Sequence, residues 1–463
     1  MDERELLRRT AELAGDHLES LGSRPVYPRA GVEELREALD GALPDGPQDA
    51  ASVIEALWSR AEPGVVASQS GRYFGFVVGG ALPVALAADW LVSSWDQNVG
   101  FLALAPSALV IENTAGEWTK ALLGIPAEAS FAFVTGCQMA HVTCLAAARQ
   151  HVLAGHGWDL LEDGLAGSPP VTVLVGDKRH STVDRALRYL GIGRAQIAAV
   201  ETGADGRMDP GALGSALAEV DGPAIVCAQA GEVNTGVCDD FHAVADAVAG
   251  SGAWLHVDGA FGLWAAASPS LAHLVAGHER ADSWATDAHK WLNVPYDCGV
   301  AFTRHPDAHR EAMTAHAPYY IRDPDAIREP VDWTPDHSRR ARAVPVYAAL
   351  RQLGRSGVAD LVERSCRHAR RFAAGVAELP GCEVLNEVVL NQVLFRFADD
   401  ATTAAVLARV QESGEAWMSG TSWGGREAIR LSVSNWRTTE ADIDRTLAAF
   451  MRARETAEEQ VPG

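Results

Sequence analysis

The chain has 463 residues, 48% of them hydrophobic, with 39 Lys and Arg against 61 Asp and Glu and a formal charge of -22. That length and apolar share can build a large domain and a smaller one around a sizeable core, while so acidic a surface repels phosphate backbones and anionic lipid heads and excludes nucleic acid and membrane as partners. Seven cysteines without a C-x-x-C pair point to reduced thiols in a cytoplasmic protein, with neither a disulfide frame nor a metal site.

Leu6, Leu7, Leu13, Leu18 and Leu21 follow helical spacing, so residues 1–70 are expected to form a helical arm whose apolar stripe needs a surface, one that a second subunit could supply. Charges recur every few residues from Met1, which leaves no apolar core of signal-peptide length. The most apolar stretch, "FGFVVGGALPVALAADWLVSSW", is broken by Pro83 and Asp89 and reads as buried structure, not a membrane span. From about Gly71, strand-length apolar runs alternate with longer helical patterns, the signature of a mostly parallel sheet covered on both faces. "VTVLVGD", "AIVCAQAG" and "AWLHVDGAFG" each end in small or polar residues, and in open α/β sheets the carboxyl ends of strands bind ligands. This large domain is expected over 71–345. After "RDPDAIREPVDWTPDHSRRARAVP" the pattern changes. A helix from about Val346, the strands "CEVLN" and "NQVLFRF", the helix "TTAAVLARVQESG", the strand "AIRLSVSN" and a last helix from about Glu440, boxed by Thr439 and Asp442, make a smaller α+β domain over 346–463.

Four clusters fall at strand ends of the large domain. Gly136, Cys137 and Gln138 open a helical run whose free N–H groups and dipole suit a phosphate, although small residues open helices in many α/β proteins. His180 stands just before a helix, where it could cap, or stack on a flat heteroaromatic ring. Asp258 ends an apolar strand beside residues too small to fill the space, so it needs donors: local backbone, or a cation such as a pyridinium nitrogen. Lys290 follows Asp287 and His289 in "SWATDAHKWLNVPYDCG". Burial disfavours an ammonium, and the neutral amine so released is the nucleophile of Schiff-base chemistry.

Those pieces, in that order, resemble fold-type-I pyridoxal-phosphate enzymes, and more narrowly the group II amino-acid decarboxylases, whose aromatic-amino-acid and glutamate members carry "H-x-D-A-A" and "P-H-K-W" where this chain has "HVDGAFG" and "DAHKWLNVPYDCG". The likeness runs from about Arg72 through the small domain, including "SRRARAVPVYAALRQLG" and "RLSVSNWRTTEADI". The resemblance implies an aspartate-aminotransferase-like fold, pyridoxal 5'-phosphate as cofactor, an amino-acid substrate, decarboxylation as the reaction, and a homodimer with sites at the interface. It makes Lys290 the Schiff-base lysine, Asp258 the partner of the pyridine nitrogen and His180 the ring-stacking base. Gly136, Cys137 and Gln138 would hold the phosphate near Asp287 and His289, and Ala260 would lie on the ring face opposite His180.

The chain also departs from the pattern. In "YFGFVVGG", Phe76 remains as a pocket wall but a family threonine has become Gly79; Trp423 and Arg426 are either near the substrate or plain surface. Phe76, Trp90 and Trp95 lean the substrate towards apolar or aromatic side chains. In the aromatic-acid decarboxylases a loop tyrosine three residues before the tryptophan matching Trp333 returns a proton to the substrate carbon; here that position is Pro330, leaving His180, Tyr319 and Tyr320 as candidate donors. Other outcomes stay open at this point: oxidative deamination coupled to decarboxylation, C–S cleavage, transamination, or a homologue that binds the cofactor without turnover.

Overall fold

A computed structural model describes residues 1–314 and 328–458. The apolar runs of the middle of the chain form seven strands: β1 (Ser130–Val134), β2 (Thr172–Gly176), β3 (Ile197–Val200), β4 (Ala224–Gln229), β5 (Trp254–Asp258), β6 (Ser283–Asp287) and β7 (Gly299–Thr303). They lie in the order β1-β7-β6-β5-β4-β2-β3. Every residue of β1, β5, β6 and β7 is buried, so these strands read as continuous apolar runs and not as alternating ones. The pairs from β3 to β6 are parallel, and β7 returns antiparallel between β6 and β1. One reversed strand between two that run alike puts the carboxyl ends of β1, β2, β5 and β6 on the same edge. The chain segments that carry Gly136, His180, Asp258 and Lys290 therefore all leave the sheet on one side.

This sheet belongs to a compact unit made of Gly79–Ala369 and Asn386–Val393, and the rest of the chain, Met1–Val78, Arg370–Leu385 and Leu394–Gly463, forms a second. Contacts thus divide the chain at other places than 70 and 345, for two local reasons. The N-terminal segment is bonded to the C-terminal part within its own unit, Val26 N–H to Gly414 O at 2.9 Å and Phe74 N–H to Trp417 O at 2.7 Å. Position 345 falls inside the helix Ala343–Ala377, whose one non-helical residue is Gly354. A smaller sheet, all but Gln392 and Val393 of it in the unit with the termini, is made of β8 (Glu383–Val384), β9 (Gln392–Arg396), β10 (Ser419–Trp423) and β11 (Arg426–Ser432), ordered β10-β11-β9-β8 with antiparallel pairing of β10 with β11 and β8 with β9. The N-terminal helix Glu3–Ser20 starts in a reciprocal box, Glu5 N–H on Asp2 at 2.8 Å and Asp2 N–H on Glu5 at 3.3 Å.

A buried ion pair locks the large sheet's surroundings. Arg339 Nη1 meets Glu112 at 2.7 and 2.9 Å and the Val99 carbonyl at 3.1 Å, while Nη2 reaches the Phe133 carbonyl of β1 at 2.7 Å. Among the described residues no helix is long and apolar enough to cross a membrane.

Candidate active site

At the end of β6, Asp287 gathers three donors. Lys290 Nζ lies 3.1 Å from Oδ2, the Cys137 N–H donates to Oδ1 at 2.6 Å, and His289 Nε2 stands 3.4 Å from the same oxygen. The Cys137 N–H is the first of the helix Cys137–Gly155, so a carboxylate sits where the helix dipole favours it. His289 accepts the Cys298 N–H on Nδ1 at 3.0 Å, and burial holds its imidazole below the ordinary range; the neutral ring then carries its proton on Nε2, facing Asp287. Close backbone approach explains two glycines. A Cβ on Gly299 would lie 2.4 Å from the carbonyl carbon of Gly136, and one on Gly79 would lie 2.0 Å from the Lys290 carbonyl oxygen. No threonine could stand at 79 with this backbone.

The Lys290 amine departs from the expectation drawn from burial. Burial does push it down, but the Asp287 carboxylate, with Asp258 behind it, outweighs that, and the amine ends above its ordinary value. Sequence reasoning counted the apolar neighbours and gave Asp287, three residues before, to the phosphate end of the cofactor and not to the amine.

Asp258, at the end of β5, accepts the Ala260 N–H on Oδ1 at 3.1 Å and has His141 Nε2 3.5 Å from Oδ2. Behind it runs a row of buried polar groups: His141 Nδ1 to His256 Nε2 at 2.9 Å, His256 Nδ1 to Ser283 Oγ at 2.8 Å, and Trp254 Nε1–H to Ser283 Oγ at 2.8 Å. Burial pushes the Asp258 carboxyl up, yet His141, then His180 and Lys290, hold it below the usual carboxylate range. Burial drives His256 down to about 3. His141, His256 and Tyr296, whose ring lies 4.3 Å from that of His289, escaped the sequence reading. The spacing held a signal for the first two: His141 is four residues after Cys137 on one helix face, and His256 is two before Asp258 on one strand face.

His180 caps the helix Ser181–Tyr189. Its Nδ1 accepts the Thr182 N–H at 3.3 Å and pairs with Thr182 Oγ1 at 2.8 Å, while the residue is exposed. Gln138 ties the two helix starts together through Nε2–H to the Thr182 carbonyl at 3.3 Å. Phe76 and Trp423 lie in the other unit. Phe76, 60% exposed and at φ 54°, packs 5.4 Å from Trp417, which also stacks on Tyr73 and Tyr27; Trp423 pairs with Arg426 across the β10–β11 hairpin. Pro330 is buried in a 3-10 turn whose carbonyl accepts the Trp333 N–H at 2.9 Å. Tyr319 and Tyr320 lie outside the described residues.

Residues 33–398 match the pyridoxal-dependent decarboxylase conserved domain. The chain belongs to that family. An aromatic-L-amino-acid decarboxylase of Bacillus atrophaeus is 28% identical to it, with 98% of this chain and 95% of the relative covered, and a 4-hydroxyphenylacetaldehyde synthase of Rhodiola rosea is 25% identical over 92% and 90%. The crystal structure of Oryza sativa TDC with PLP and tryptamine shares the fold with a TM-score of 0.92 at 24% identity, covering 98% of each chain.

The protein is thus a pyridoxal-phosphate-dependent amino-acid decarboxylase, a carboxy-lyase, and its own groups fit that cofactor. The chain has only three lysines. In this decarboxylase Lys120 spends its ammonium on the Ala127 and Ala129 carbonyls, both at 2.8 Å, and Lys178 is an exposed partner of Asp177. Lys290 alone stands at the strand-end edge beside two buried carboxylates, with a helix start next to it to receive an anion. Among the described residues, Cys137, His141 and Asp258 also bring metal-type ligand atoms within 4.8 Å of one another. Burial raises the Cys137 thiol well above its ordinary value, however, and a thiol that keeps its proton is a poor metal ligand.

Proposed function

We propose that this decarboxylase removes the α-carboxylate of L-amino acids with aromatic or apolar side chains, and that it works as a cytoplasmic homodimer with sites completed at the subunit interface. The observation that carries the reading is the convergence of Lys290, Asp287, Asp258 and the start of the helix Cys137–Gly155 at one sheet edge. In it, Lys290 holds the cofactor's aldehyde carbon, Asp258 holds the proton of its ring nitrogen, and Gly136, Cys137 and Gln138 hold the phosphate near Asp287 and His289. His180 covers one ring face and Ala260 the other. Bound there, the cofactor supplies a protonated ring that draws electrons from the bond being broken. The aromatic preference is supported by the activities named for the Bacillus and Rhodiola relatives, and Phe76 is the first candidate substrate contact. Trp423 is the second candidate substrate contact. The dimer is supported by exposed apolar residues of the N-terminal segment, Leu7, Val32, Leu43 and Leu57 among them, and the compartment by seven free cysteines.

A second outcome is favoured by one feature, Pro330, which has no N–H or hydroxyl to return a proton. Without that proton the substrate carbon can meet dioxygen. The balance is then amino acid, dioxygen and water giving aldehyde, carbon dioxide, ammonia and hydrogen peroxide. A panel of amino acids assayed in air and under argon decides both points. Carbon dioxide with stoichiometric amine in both gases supports simple decarboxylation, peroxide matching carbon dioxide in air supports the oxidative route, and retention of the α-carboxyl carbon in every product refutes the proposal.

A further inference from the structure

We propose that His141 is a positioning residue for the reaction: it donates its Nε2–H to Asp258 and keeps that carboxylate ionised and aimed at the cofactor's ring nitrogen. The inference rests on the assignment of Asp258 to that nitrogen. Both groups are buried, His141 fully, so the lone pair of a bare Nε2 facing the carboxylate at 3.5 Å would leave two acceptors opposed without water to separate them. The row behind His141 supplies the opposite arrangement. Indole nitrogen only donates, so Trp254 gives its N–H to Ser283 Oγ at 2.8 Å. The Ser283 hydroxyl then serves Nδ1 of His256, a ring that burial keeps neutral and that therefore has one N–H to give, from Nε2 to Nδ1 of His141. His141 is left with its proton on Nε2. Cys137 Sγ, 3.4 Å from the same nitrogen, competes for it only weakly, because sulfur is a poor acceptor and the carboxylate a charged one. Each group in the row gives its proton to the next, and the last, His141, faces Asp258.

The consequence is that Asp258 Oδ1 takes the Ala260 N–H at 3.1 Å and the weak Cys137 thiol at 3.9 Å, while among the described residues Oδ2 faces only His141 at 3.5 Å, so losing His141 loosens the carboxylate on that side. The test loads the wild type and the variants His141→Leu, His141→Gln and Asp258→Ala with cofactor carrying 15N in its ring, checks loading by absorbance, and reads the ring-nitrogen resonance beside kcat and KM. His141→Leu should move the resonance towards its unprotonated position and lower kcat roughly ten- to hundredfold, the worth of a hydrogen bond to a charged group, with KM changed by less than about twofold. His141→Gln, whose amide N–H falls at the same number of bonds from Cβ, should stay near the wild type. A loaded His141→Leu protein with the wild-type resonance and kcat overturns the proposal when Asp258→Ala still loses the resonance; if Asp258→Ala also keeps it, the assignment of Asp258 has failed instead. Should His141→Leu not fold, the tautomer is read in wild-type holoenzyme labelled with 15N-histidine, using His141→Gln to assign the signal: a proton on Nε2 supports the proposal and a bare Nε2 refutes it.

Discussion

Lowering the pH from 7 to 4.5 should strip a large share of the stability from the unit that carries the large sheet. Burial depresses five of its imidazoles, His151 and His289 among them, and three furthest: His256 and His309 to about 3 and His278 to about 4. An unfolded histidine titrates near 6.5, so below that pH the unfolded state binds, at these last three alone, three protons that the folded state refuses, and stability falls as pH falls. Asp239 acts the other way: burial pushes it up to about 6, so the folded state binds one proton before the unfolded state does. From these four groups the net difference is about two protons between pH 6 and 4.5, a slope of roughly 3 kcal/mol per pH unit and a loss of about 4 kcal/mol over that window. Domains of ordinary stability hold 5–15 kcal/mol, so the loss is a large share of the whole. The assay is urea unfolding of the cofactor-free protein, followed by far-UV circular dichroism at half-unit steps of pH. A single substitution isolates the cause. His309, held by Ser130 Oγ at 2.8 Å and the Trp333 carbonyl at 2.9 Å, carries one of the three protons, and His309→Gln should flatten the slope by about 1 kcal/mol per pH unit. Unfolding midpoints that stay level down to pH 4.5, or an unchanged slope in His309→Gln, would refute the reasoning.

Gly299→Ala should weaken cofactor retention, read by absorbance titration, because the new Cβ would meet the Gly136 backbone at 2.4 Å and displace the helix start; Gly155→Ala in the same helix meets nothing within 4 Å and should leave binding as it is. Arg339→Leu leaves Glu112 buried without its cation and should cost about 3–5 kcal/mol in chemical unfolding, whereas a loss below about 1 kcal/mol would mean that water reaches the pair.

The sheet was legible wherever strands are buried on both faces. "VTVLVGD", "AIVCAQAG" and "AWLHVDGAFG" contain β2, β4 and β5, because helices on each side demand unbroken apolar runs. The last helix begins at Glu440 as its box indicates, with Asp442 N–H on Thr439 Oγ1 at 3.2 Å and Thr439 N–H on Asp442 at 3.0 Å. β10 was missed because "SGTSW" has no apolar run and only alternate burial. The reversed direction of β7 was equally hidden, since pairing direction leaves no mark on a five-residue strand. At the site, local motifs exposed the residues at strand ends. What they could not expose was pairing at a distance: the histidine row joins residues 115 and 27 positions apart in the chain, and the sign of the Lys290 shift depends on which carboxylate the fold brings nearest.

The central claim, that Lys290 carries the cofactor, is tested most directly by borohydride reduction of the holoenzyme followed by peptide mapping. With three lysines in the chain the result has few outcomes. A pyridoxyl group on Lys290 is the predicted one, and the same group on Lys120 or Lys178 would contradict the account.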